Sequence, residues 1–380
     1  MELYLGQMSG TSMDAIDSAL LDVTPPTPKI IATHRHAIDP DLHDSLHDFV
    51  EGRCRAVEDL WRLDAALGGT FATAALALLD QARIRSARVI AIGCHGQTVY
   101  HRPDGEWRCT VQIGDPNLIA ERTNITTVAD FRRRDLAAGG QGAPLAPLFH
   151  RAIFALPDSP RAVVNIGGIA NLSVLPARAD DPLIGFDSGP GNTLLDAWTR
   201  RHLGQAMDRD GRWAAQGQVD RALLATLLAD PYFRAPPPKS TGREYFHLQW
   251  LDARLAALAH GPRPVDVQRT LCELSAATIA DAIDAAASAA ESVVLCGGGV
   301  HNPVLAGALA ARLPTREVIS SAACGIDPDW IEAGAFAWLA SRTLAGLTGN
   351  SPDVTGATHP VVLGAIYLAG SKRGRDSDPE

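Results

Sequence analysis

Lysine is scarce in this sequence, and no lysine lies in a known phosphate-binding motif. Only Lys29, Lys239 and Lys372 occur among 380 residues. No Gly-Lys-Ser/Thr tripeptide is present, which excludes a P-loop. The strand lysine and the Asp-Phe-Gly motif of protein kinases are absent as well. If the chain binds a nucleotide, the phosphates must contact mainly backbone N–H groups, hydroxyls and a metal ion.

The sequence also lacks the patterns of a zinc site, a disulfide framework or a membrane protein. Its six cysteines include no pair at C-x-x-C spacing. His43 and His47 are four residues apart on a predicted helix, but no third ligand is near, which favours a surface helix over a metal site. The N-terminus has no signal-peptide pattern, and no uninterrupted apolar run reaches the ~20 residues that span a bilayer. We therefore expect a cytoplasmic protein with no membrane partner.

The overall composition is that of an ordinary globular protein. Hydrophobic residues make up 46% and charged residues 20%, and the length suggests two domains. The formal net charge of −9 argues against a nucleic-acid partner. The one tight basic run, Arg132 to Arg134, is flanked by Asp130 and Asp135, and it indicates either a solvated turn or an anion contact.

Two glycine-rich hairpins indicate that the architecture of the first half is repeated in the second. In the first hairpin, a strand over Leu3 to Leu5, a turn over Gly6 to Asp14 and a return strand over Ile16 to Val23 are predicted. The second consists of two apolar runs around Gly167-Gly168. Strands then alternate with helices, which predicts an α/β fold with helices flanking mostly parallel sheets. Two such halves facing each other would form a cleft for a ligand.

The turn from Gly6 to Asp14 contains two glycines and three hydroxyl side chains. Such a turn can direct several backbone N–H groups at one anion, which favours phosphate binding without lysine. The alternative is a plain hairpin turn. Asp14 or Asp17 could hold Mg²⁺ directly or through water, because Mg²⁺ keeps several waters and takes few carboxylates.

Asp187 lies where a predicted strand ends and a helix begins, within the motif Gly185 to Asn192. Ligands of open α/β sheets bind at the carboxyl ends of strands, and the neighbouring glycines let a substrate approach. Asp187 could instead cap the following helix. Because Asn192 or Thr193 is better placed as the cap, we favour Asp187 as a general base.

Two further features precede or lie within predicted helices near the C-terminus. Gly297 to Gly299 follow a predicted strand and would let adenine or ribose lie against the backbone, whereas a tight strand-to-helix turn would need only one glycine. Glu332 interrupts an apolar helix face, and a carboxylate that faces inward needs a partner. Sugar hydroxyls would be suitable partners.

Five strings in this sequence resemble anhydro-N-acetylmuramic acid kinases, a family within the actin, Hsp70 and sugar kinase superfamily. In chain order they are Gly10–Asp14, Cys94–Thr98, Asn165–Asn171, Asp187–Asn192 and Pro238–Glu244. The resemblance extends from Leu3 to about Leu368. Ala15 and Ser188 depart from it, since glycine and threonine are expected there.

The resemblance implies two actin-like ATPase (ribonuclease H-like) domains with mixed sheets flanked by helices and with ATP in the central cleft. Domain I would cover residues 1–135, with a segment of about 355–370 packed back on it. Domain II would cover residues 136–354, and residues 371–380 would form a disordered tail. Gly139, Gly140 and Gly142 are candidate hinge residues.

The resemblance also implies an enzyme of cell-wall recycling, which uses ATP, Mg²⁺ and water to convert 1,6-anhydro-N-acetylmuramic acid into N-acetylmuramic acid 6-phosphate. Asp187 would be the catalytic base, Asp14 would bind the metal through water, and a homodimer is compatible with the family. The sugar would contact His95, Gln97, Arg132, Asp187 and Glu332. ATP would contact Ser9, Gly10, Thr11, Ser12, Met13, Asp14, Ala15, Ile16, Asp17, Asn165, Gly167, Gly168, Gly297, Gly298 and Gly299.

Three alternatives remain open at this point. Another sugar or carboxylate kinase of the same superfamily would phosphorylate a free hydroxyl. An ATP-gated binding module would need a peptide-binding domain, which the short segment after Leu368 cannot supply. A glycosidase with Asp187 and Glu332 as its carboxylate pair would work without ATP, but it leaves the glycine turns unexplained.

Overall fold

The computed structural model describes residues 1–10, 12–54, 56–178, 181–237, 239–242 and 245–370. The chain divides into two compact units. The first consists of residues 1–149 together with the chain from Glu332 onward, and the second consists of residues 150–331. The predicted domain limits, after residues 135 and 354, differ from these boundaries, and the predicted tail, 371–380, lies outside the described residues.

The secondary structure alternates strands and helices along both units. The strands are β1 (Leu3–Ser9), β2 (Ala15–Asp22), β3 (Lys29–Ala37), β4 (Val89–Cys94), β5 (Gln97–Arg102), β6 (Cys109–Ile113), β7 (Thr127–Ala129), β8 (Arg161–Ile166), β9 (Ile169–Leu175), β10 (Ile184–Pro190), β11 (Ser292–Cys296), β12 (Glu317–Ser320) and β13 (Ala365–Tyr367). The helices are α1 (Pro40–Val50), α2 (Val57–Ala82), α3 (Pro116–Thr123), α4 (Arg133–Ala137), α5 (Ala146–Phe154), α6 (Thr193–Leu203), α7 (Arg221–Leu228), α8 (Pro231–Arg234), α9 (Leu248–Ala256), α10 (Pro264–Ala286), α11 (Pro303–Arg312), α12 (Ile331–Leu344) and α13 (Pro352–Thr355).

Both units are built on the same arrangement of strands. The sheet of the first unit has the order β13-β7-β4-β1-β2-β3, in which β1, β4 and β7 are parallel and the other strands are antiparallel to their neighbours. The sheet of the second unit has the order β10-β9-β8-β11-β12, in which β8, β11 and β12 are parallel. In each unit an antiparallel three-stranded meander therefore precedes two parallel strands. The predicted α/β fold of mixed sheets flanked by helices, repeated in the two halves, is confirmed.

Helix α2 forms a large part of the core of the first unit. Leu63, Leu67, Phe71 and Leu78 recur at helical spacing, are fully or almost fully buried, and belong to the cluster that packs on the sheet. Among the described residues, α2 is also the one helix that is long and apolar enough to cross a membrane by length and composition. In its most apolar window 56% of the residues are buried within the protein, as is typical of a core helix.

The first predicted turn is shorter than expected, because Gly6 to Met8 belong to β1. Helix α12 crosses the sheet at this point and leaves no room for a side chain. A Cβ atom on Gly6 would lie 1.9 Å from the carbonyl oxygen of Ala333, and one on Gly93 of β4 would lie 2.0 Å from that of Phe336. These two glycines therefore serve the packing of α12 on the sheet, and the candidate phosphate turn begins only after Ser9.

Candidate active site

The turn between β1 and β2 presents an open backbone whose neighbouring residues are anchored in the core. A Cβ atom on Gly10 would meet nothing within 4 Å, so another molecule can approach the backbone there. Met13 has a left-handed backbone conformation (φ 58°), and its buried side chain belongs to the core cluster. The hydroxyl of Ser9 is buried and has no hydrogen-bond partner among the described residues. This turn can therefore accept a polar ligand, although Thr11 lies outside the described residues.

The two aspartates of the predicted metal and phosphate site differ in their surroundings. Asp14 is exposed and accepts a hydrogen bond from the hydroxyl of Ser12. Asp17 forms an ion pair with Arg35, with an Nε–Oδ1 distance of 2.7 Å. The side chain of Ile16 is fully buried, so this residue could reach a ligand only through its backbone. Of the two carboxylates, Asp14 is the better candidate for an ion held through water.

His95 follows β4 and holds a fixed neutral tautomer. Its Nε2 atom accepts a hydrogen bond from Nε of Arg132 at 2.9 Å, so the proton is on Nδ1, which donates to the carbonyl of Gly96 at 2.9 Å. Burial, together with the charge of Arg132, lowers the pKa of His95 well below its ordinary value. The ring also packs on Phe336, with centroids 4.6 Å apart. Because both nitrogens are occupied within the protein, His95 is placed to orient Arg132 and not to bond a ligand itself.

Arg132 is the only member of the basic run, among the described residues, that is held inside the first unit. Its Nη1 donates to the carbonyl of Gly142 at 2.7 Å, while Nη2 has no hydrogen-bond partner in the part of the chain that the structure describes. Burial lowers the pKa of Arg132 to about 10, against the opposing effect of Glu332 and Asp135. Arg133, in contrast, is exposed and pairs with Asp130. Of the basic run from Arg132 to Arg134, we therefore interpret only Arg132 as a candidate anion contact.

The predicted hinge glycines lie in a loop that the buried carboxylate of Asp135 fixes. This carboxylate accepts hydrogen bonds from the backbone of Gly142 (2.7 Å), Asn350 Nδ2 (2.6 Å) and Thr355 Oγ1 (2.7 Å). A Cβ atom on Gly140 would lie 2.2 Å from the same carboxylate. Because Gly142 supplies the carbonyl that binds Arg132, this loop supports the position of the guanidinium group.

Two other predicted sugar contacts of the first unit have different environments. The side chain of Gln97 is almost fully buried. Its Nε2 donates to the carbonyl of Thr98 at 3.0 Å, whereas its Oε1 has no partner within the described ranges. Glu332 is exposed in the first turn of α12, so the expectation that it faces inward is wrong. The helix dipole favours a carboxylate at this position. Because the side chain is exposed, it can stand in an apolar sequence without the free-energy penalty of a buried charge.

In the second unit, the turn after β8 supports the strand that carries Asp187. The carbonyl of Gly168 accepts hydrogen bonds from the backbone of Gly191 (2.9 Å) and Thr193 (3.0 Å), and the carbonyl of Gly167 accepts one from Asn192 (2.9 Å). The predicted glycine turn and the start of α6 therefore form one rigid structure. Asn192 is the N-cap residue of α6, which leaves Asp187 outside the cap.

The three consecutive glycines after β11 have unequal roles. Gly297 has φ +79°, and a Cβ atom on it would lie 2.2 Å from Oδ1 of Asn165. A Cβ atom on Gly299 would lie 2.2 Å from a methyl carbon of Ile166. At Gly298 nothing lies within 4 Å of the same position. Packing against the end of β8 thus accounts for two of the glycines, and only Gly298 faces open space.

Asp187 lies inside β10 and not after it, because the strand continues to Pro190. The register against β9 shifts between Asp187 and Gly189, which is a bulge of the kind that redirects side chains near active sites. The half-buried carboxylate accepts a hydrogen bond from the backbone of Thr241 at 3.0 Å. The backbone N–H of Asp187 donates to the carbonyl of Lys239 at 3.1 Å, and its carbonyl accepts from Tyr232 Oη at 2.8 Å.

These contacts identify residues near Asp187 that sequence reasoning missed. Lys239 and Thr241 belong to the polar string that begins at Pro238, of which Pro238, Arg243 and Glu244 lie outside the described residues. Lys239 Nζ donates to the carbonyls of Tyr232 (3.1 Å) and Phe233 (3.3 Å). The family-like string from Pro238 to Glu244 could have indicated that these residues belong to the site. Its pairing with β10, however, depends on contacts more than 50 positions apart, which no local pattern contains.

Each unit therefore carries candidate groups for a small polar ligand. The first has an open glycine turn and a buried histidine–arginine pair, and the second has an open glycine and a carboxylate on a bulged strand. The sequence model of the family described as "Anhydro-N-acetylmuramic acid kinase" matches residues 2–369 of the chain. This chain therefore belongs to the anhydro-N-acetylmuramic acid kinase family, and the predicted family is confirmed.

Curated relatives agree with this family over almost their whole length. The protein named anhydro-N-acetylmuramic acid kinase from Xanthomonas campestris pv. campestris (strain 8004) is 52% identical over 372 residues, which cover 97% of each chain. The protein of the same name from Coxiella burnetii (strain Dugway 5J108-111) is 49% identical over 368 residues, which cover 96% of this chain and 97% of the relative. The family assignment thus applies to both units.

Solved structures resemble the chain more weakly. The activator of 2-hydroxyisocaproyl-CoA dehydratase from Clostridium difficile, with bound ADPNP, is 12% identical with a TM-score of 0.46, and the match covers 88% of this chain and 92% of the activator. A similarity this low adds nothing to the family assignment.

Proposed function

We propose that the chain is an ATP-dependent kinase that hydrolyses the 1,6-anhydro ring of 1,6-anhydro-N-acetylmuramic acid and phosphorylates O6. The observation that carries this proposal is the family match over residues 2–369, with relatives about half identical over nearly their whole length. The products would be N-acetylmuramic acid 6-phosphate and ADP. The reaction would serve the recycling of cell-wall material in the cytoplasm.

In this reaction Asp187 acts as the general base on water. The bridging oxygen of the anhydro ring carries no proton, so the proton to be removed belongs to the attacking water. The water oxygen bonds to C1, the bond between C1 and O6 breaks, and O6 attacks the γ-phosphorus of ATP as ADP leaves. The backbone N–H of Thr241 donates to the carboxylate of Asp187 and helps to orient it for this role. A positioned base contributes roughly 10²–10⁴-fold to the rate.

The first unit supplies candidate contacts for the sugar. The substrate carries a carboxylate, for which the available Nη2 of Arg132 is a suitable partner. The orphaned Oε1 of Gln97 can accept a hydrogen bond from a hydroxyl or amide group, and the exposed Glu332 can accept others. His95 contributes by holding Arg132. These roles assign the sugar contacts that the family resemblance implies to polar groups of the first unit.

Backbone groups, hydroxyls and a carboxylate, and not lysine side chains, would bind ATP and Mg²⁺. The open backbone at Gly10 and at Gly298 can approach phosphate or nucleoside groups. Asp14 with the nearby hydroxyls offers the oxygen ligands that Mg²⁺ prefers, and a single exposed carboxylate suits an ion that keeps most of its waters. The ion would neutralise charge on the phosphates.

The reaction can be tested by following the fate of solvent oxygen. Anhydro-N-acetylmuramic acid and ATP are incubated with the enzyme in oxygen-18 water, and the product is analysed by phosphorus and proton NMR and by mass spectrometry. We expect the label at C1, phosphate on O6 and one ADP per sugar. Phosphorylation of free sugars, with no ring opening, would instead establish another kinase of this fold, and product formation without ATP would establish a glycosidase.

The role of Asp187 is tested by Asp187→Asn, with Asp252→Asn as the matched control. Asp252 is half-exposed and pairs with Arg201, outside the candidate site. We expect Asp187→Asn to lose at least the roughly 10²–10⁴-fold of a general base while it binds a non-hydrolysable ATP analogue normally in calorimetry. The control should turn over normally. Near-normal turnover of Asp187→Asn would contradict the assignment.

A further inference from the structure

A buried carboxylate outside the candidate site forms the centre of a hydrogen-bond network in the second unit. The side chain of Asp230, the N-cap of α8, is 1% exposed. Its Oδ1 accepts hydrogen bonds from the backbone of Tyr232 and from Tyr245 Oη, both at 2.9 Å. Its Oδ2 accepts from Trp250 Nε1 at 2.9 Å and from Arg254 Nη2 at 2.5 Å. Four donors on one buried carboxylate satisfy it fully.

This carboxylate is ionised in the folded protein. Burial by itself would raise the pKa of Asp230, but the hydrogen bonds of Tyr232, Trp250 and Tyr245, with the charge of Arg254, lower it below its ordinary value. Arg254 also lies over the ring of Trp250, with its guanidinium carbon 3.9 Å from the centroid. The network is therefore a fixed anchor on α9 and not an adjustable group.

The segment anchored by Asp230 is the one that contacts Asp187. Tyr232 and Tyr245 both donate to Asp230. We call the described residues between α8 and Phe246 the strap, that is, residues 231–237, 239–242 and 245–246. Within the strap, Tyr232 Oη donates to the carbonyl of Asp187 at 2.8 Å, and the backbone of Thr241 donates to the Asp187 carboxylate at 3.0 Å. The backbone carbonyl of Lys239 accepts a hydrogen bond from the backbone N–H of Asp187.

The side chain of Lys239 connects two parts of the strap. Its Nζ donates to the carbonyls of Tyr232 and Phe233 at the end of α8 and lies 4.8 Å from the centroid of the Tyr232 ring. The two arms of the strap are thereby linked next to Asp187. A displacement of Tyr232 would consequently move the backbone that holds Asp187.

We propose that Asp230 and Tyr232 are positioning residues for the general base, and that the strap fixes the direction of the Asp187 carboxylate. The proposal rests on the proposed role of Asp187. Neither residue is assigned a contact with the substrate. Asp230 acts by fixing both ends of the strap, and Tyr232 acts by holding the carbonyl of Asp187 at the bulge.

The first test is Tyr232→Phe, which removes one hydroxyl and keeps the aromatic packing. A neutral hydrogen bond contributes about 0.5–1.5 kcal/mol, so we expect kcat to fall about 2- to 10-fold. KM for the sugar and the affinity for a non-hydrolysable ATP analogue should stay within a factor of 2, because ground-state binding is not altered. Turnover is normalised to the stoichiometry of analogue binding, so that a loss of folded protein does not imitate a loss of kcat.

The matched control is Trp198→Phe. It also removes one side-chain donor to a backbone carbonyl of the same unit, Trp198 Nε1 to Pro264 at 2.9 Å, and neither partner of this hydrogen bond belongs to the strap. We expect this control to lower the melting temperature and to leave the normalised kcat unchanged. Tyr245→Phe, which removes one bond to Asp230 without unpairing Arg254, should lower kcat in the same way as Tyr232→Phe.

Two results would overturn the proposal. The first is a normal normalised kcat in Tyr232→Phe, and the second is an equal loss of kcat in Trp198→Phe. Both are distinguishable from a failure of the proposed function, because Asp187→Asn is measured in parallel. If Asp187→Asn is inactive while Tyr232→Phe is normal, the base assignment stands and the positioning role is wrong.

Discussion

The hydrogen bond between His95 and Arg132 can be tested by removing the imidazole with His95→Ala. The change leaves the buried Nε–H of Arg132 without its acceptor at 2.9 Å and removes a ring packed 4.6 Å from Phe336. Since Arg132 is the proposed contact of the substrate carboxylate, a guanidinium group that is less well held should bind the sugar more weakly. The expected defect therefore concerns sugar binding, not ATP binding.

The magnitude follows from the charge of the donor. Hydrogen bonds to charged groups contribute about 1.5–3 kcal/mol. If this energy appears fully in the binding of the sugar, KM for the sugar rises about 10- to 150-fold. His95→Gln, whose amide oxygen can accept from Arg132, should recover part of the loss. The contact with Gly142 holds Nη1 in all variants, so the guanidinium group is loosened and not released.

The assay is initial-rate ADP release at varied sugar concentration, with calorimetry of a non-hydrolysable ATP analogue as the test of the nucleotide site. His34→Ala is the control, because His34 lies on β3 and its Nδ1 bonds to Gln81. We expect the analogue to bind all variants equally. An unchanged sugar KM in His95→Ala would refute the reasoning, and so would an equal increase in His34→Ala.

Two further predictions concern stability. Gly6→Ala should lower the free energy of unfolding by about 1–3 kcal/mol or more, because its Cβ would lie 1.9 Å from the Ala333 oxygen. The control Gly307→Ala, whose Cβ would meet nothing within 4 Å, should be neutral or stabilising. Thermal unfolding of both variants distinguishes these outcomes. Burial lowers the pKa of His150 to about 4. The unfolded chain therefore binds one more proton between about pH 6.5 and 4, and stability decreases by about 3 kcal/mol as the pH falls through this range. His150→Gln should remove that part of the pH dependence in urea unfolding, and an identical pH dependence would contradict it.

The sequence was most informative where local signals decide the structure. The two hairpins were predicted because apolar strands flank short turns, and proline or aspartate marks the starts of several helices. Pro116, Pro264 and Pro303, for example, each lie at the first positions of a helix. Such signals lie within a few positions of the residue that they determine.

The sequence was least informative where distant segments meet. Position 6 of β1 requires glycine because α12, more than 320 positions later, crosses the strand there. Glu332 is exposed although Ile331 and Ala333 beside it are buried, so the apolar sequence around it did not determine its direction. Asp230 looks like an ordinary helix cap before a proline, and nothing nearby in the sequence indicates that Trp250 and Arg254 complete its environment.

The glycines show most clearly how the structure changes a functional argument made from sequence. A glycine is required either because a neighbouring atom occupies the place of Cβ or because a ligand needs that place, and the sequence does not separate the two. At Gly297 and Gly299 the neighbours are Asn165 and Ile166, at 2.2 Å in both cases. At Gly10 and Gly298 the space is open. An alanine at Gly297 or Gly299 should therefore impair folding first, while an alanine at Gly10 or Gly298 would leave the fold intact and affect only a bound nucleotide.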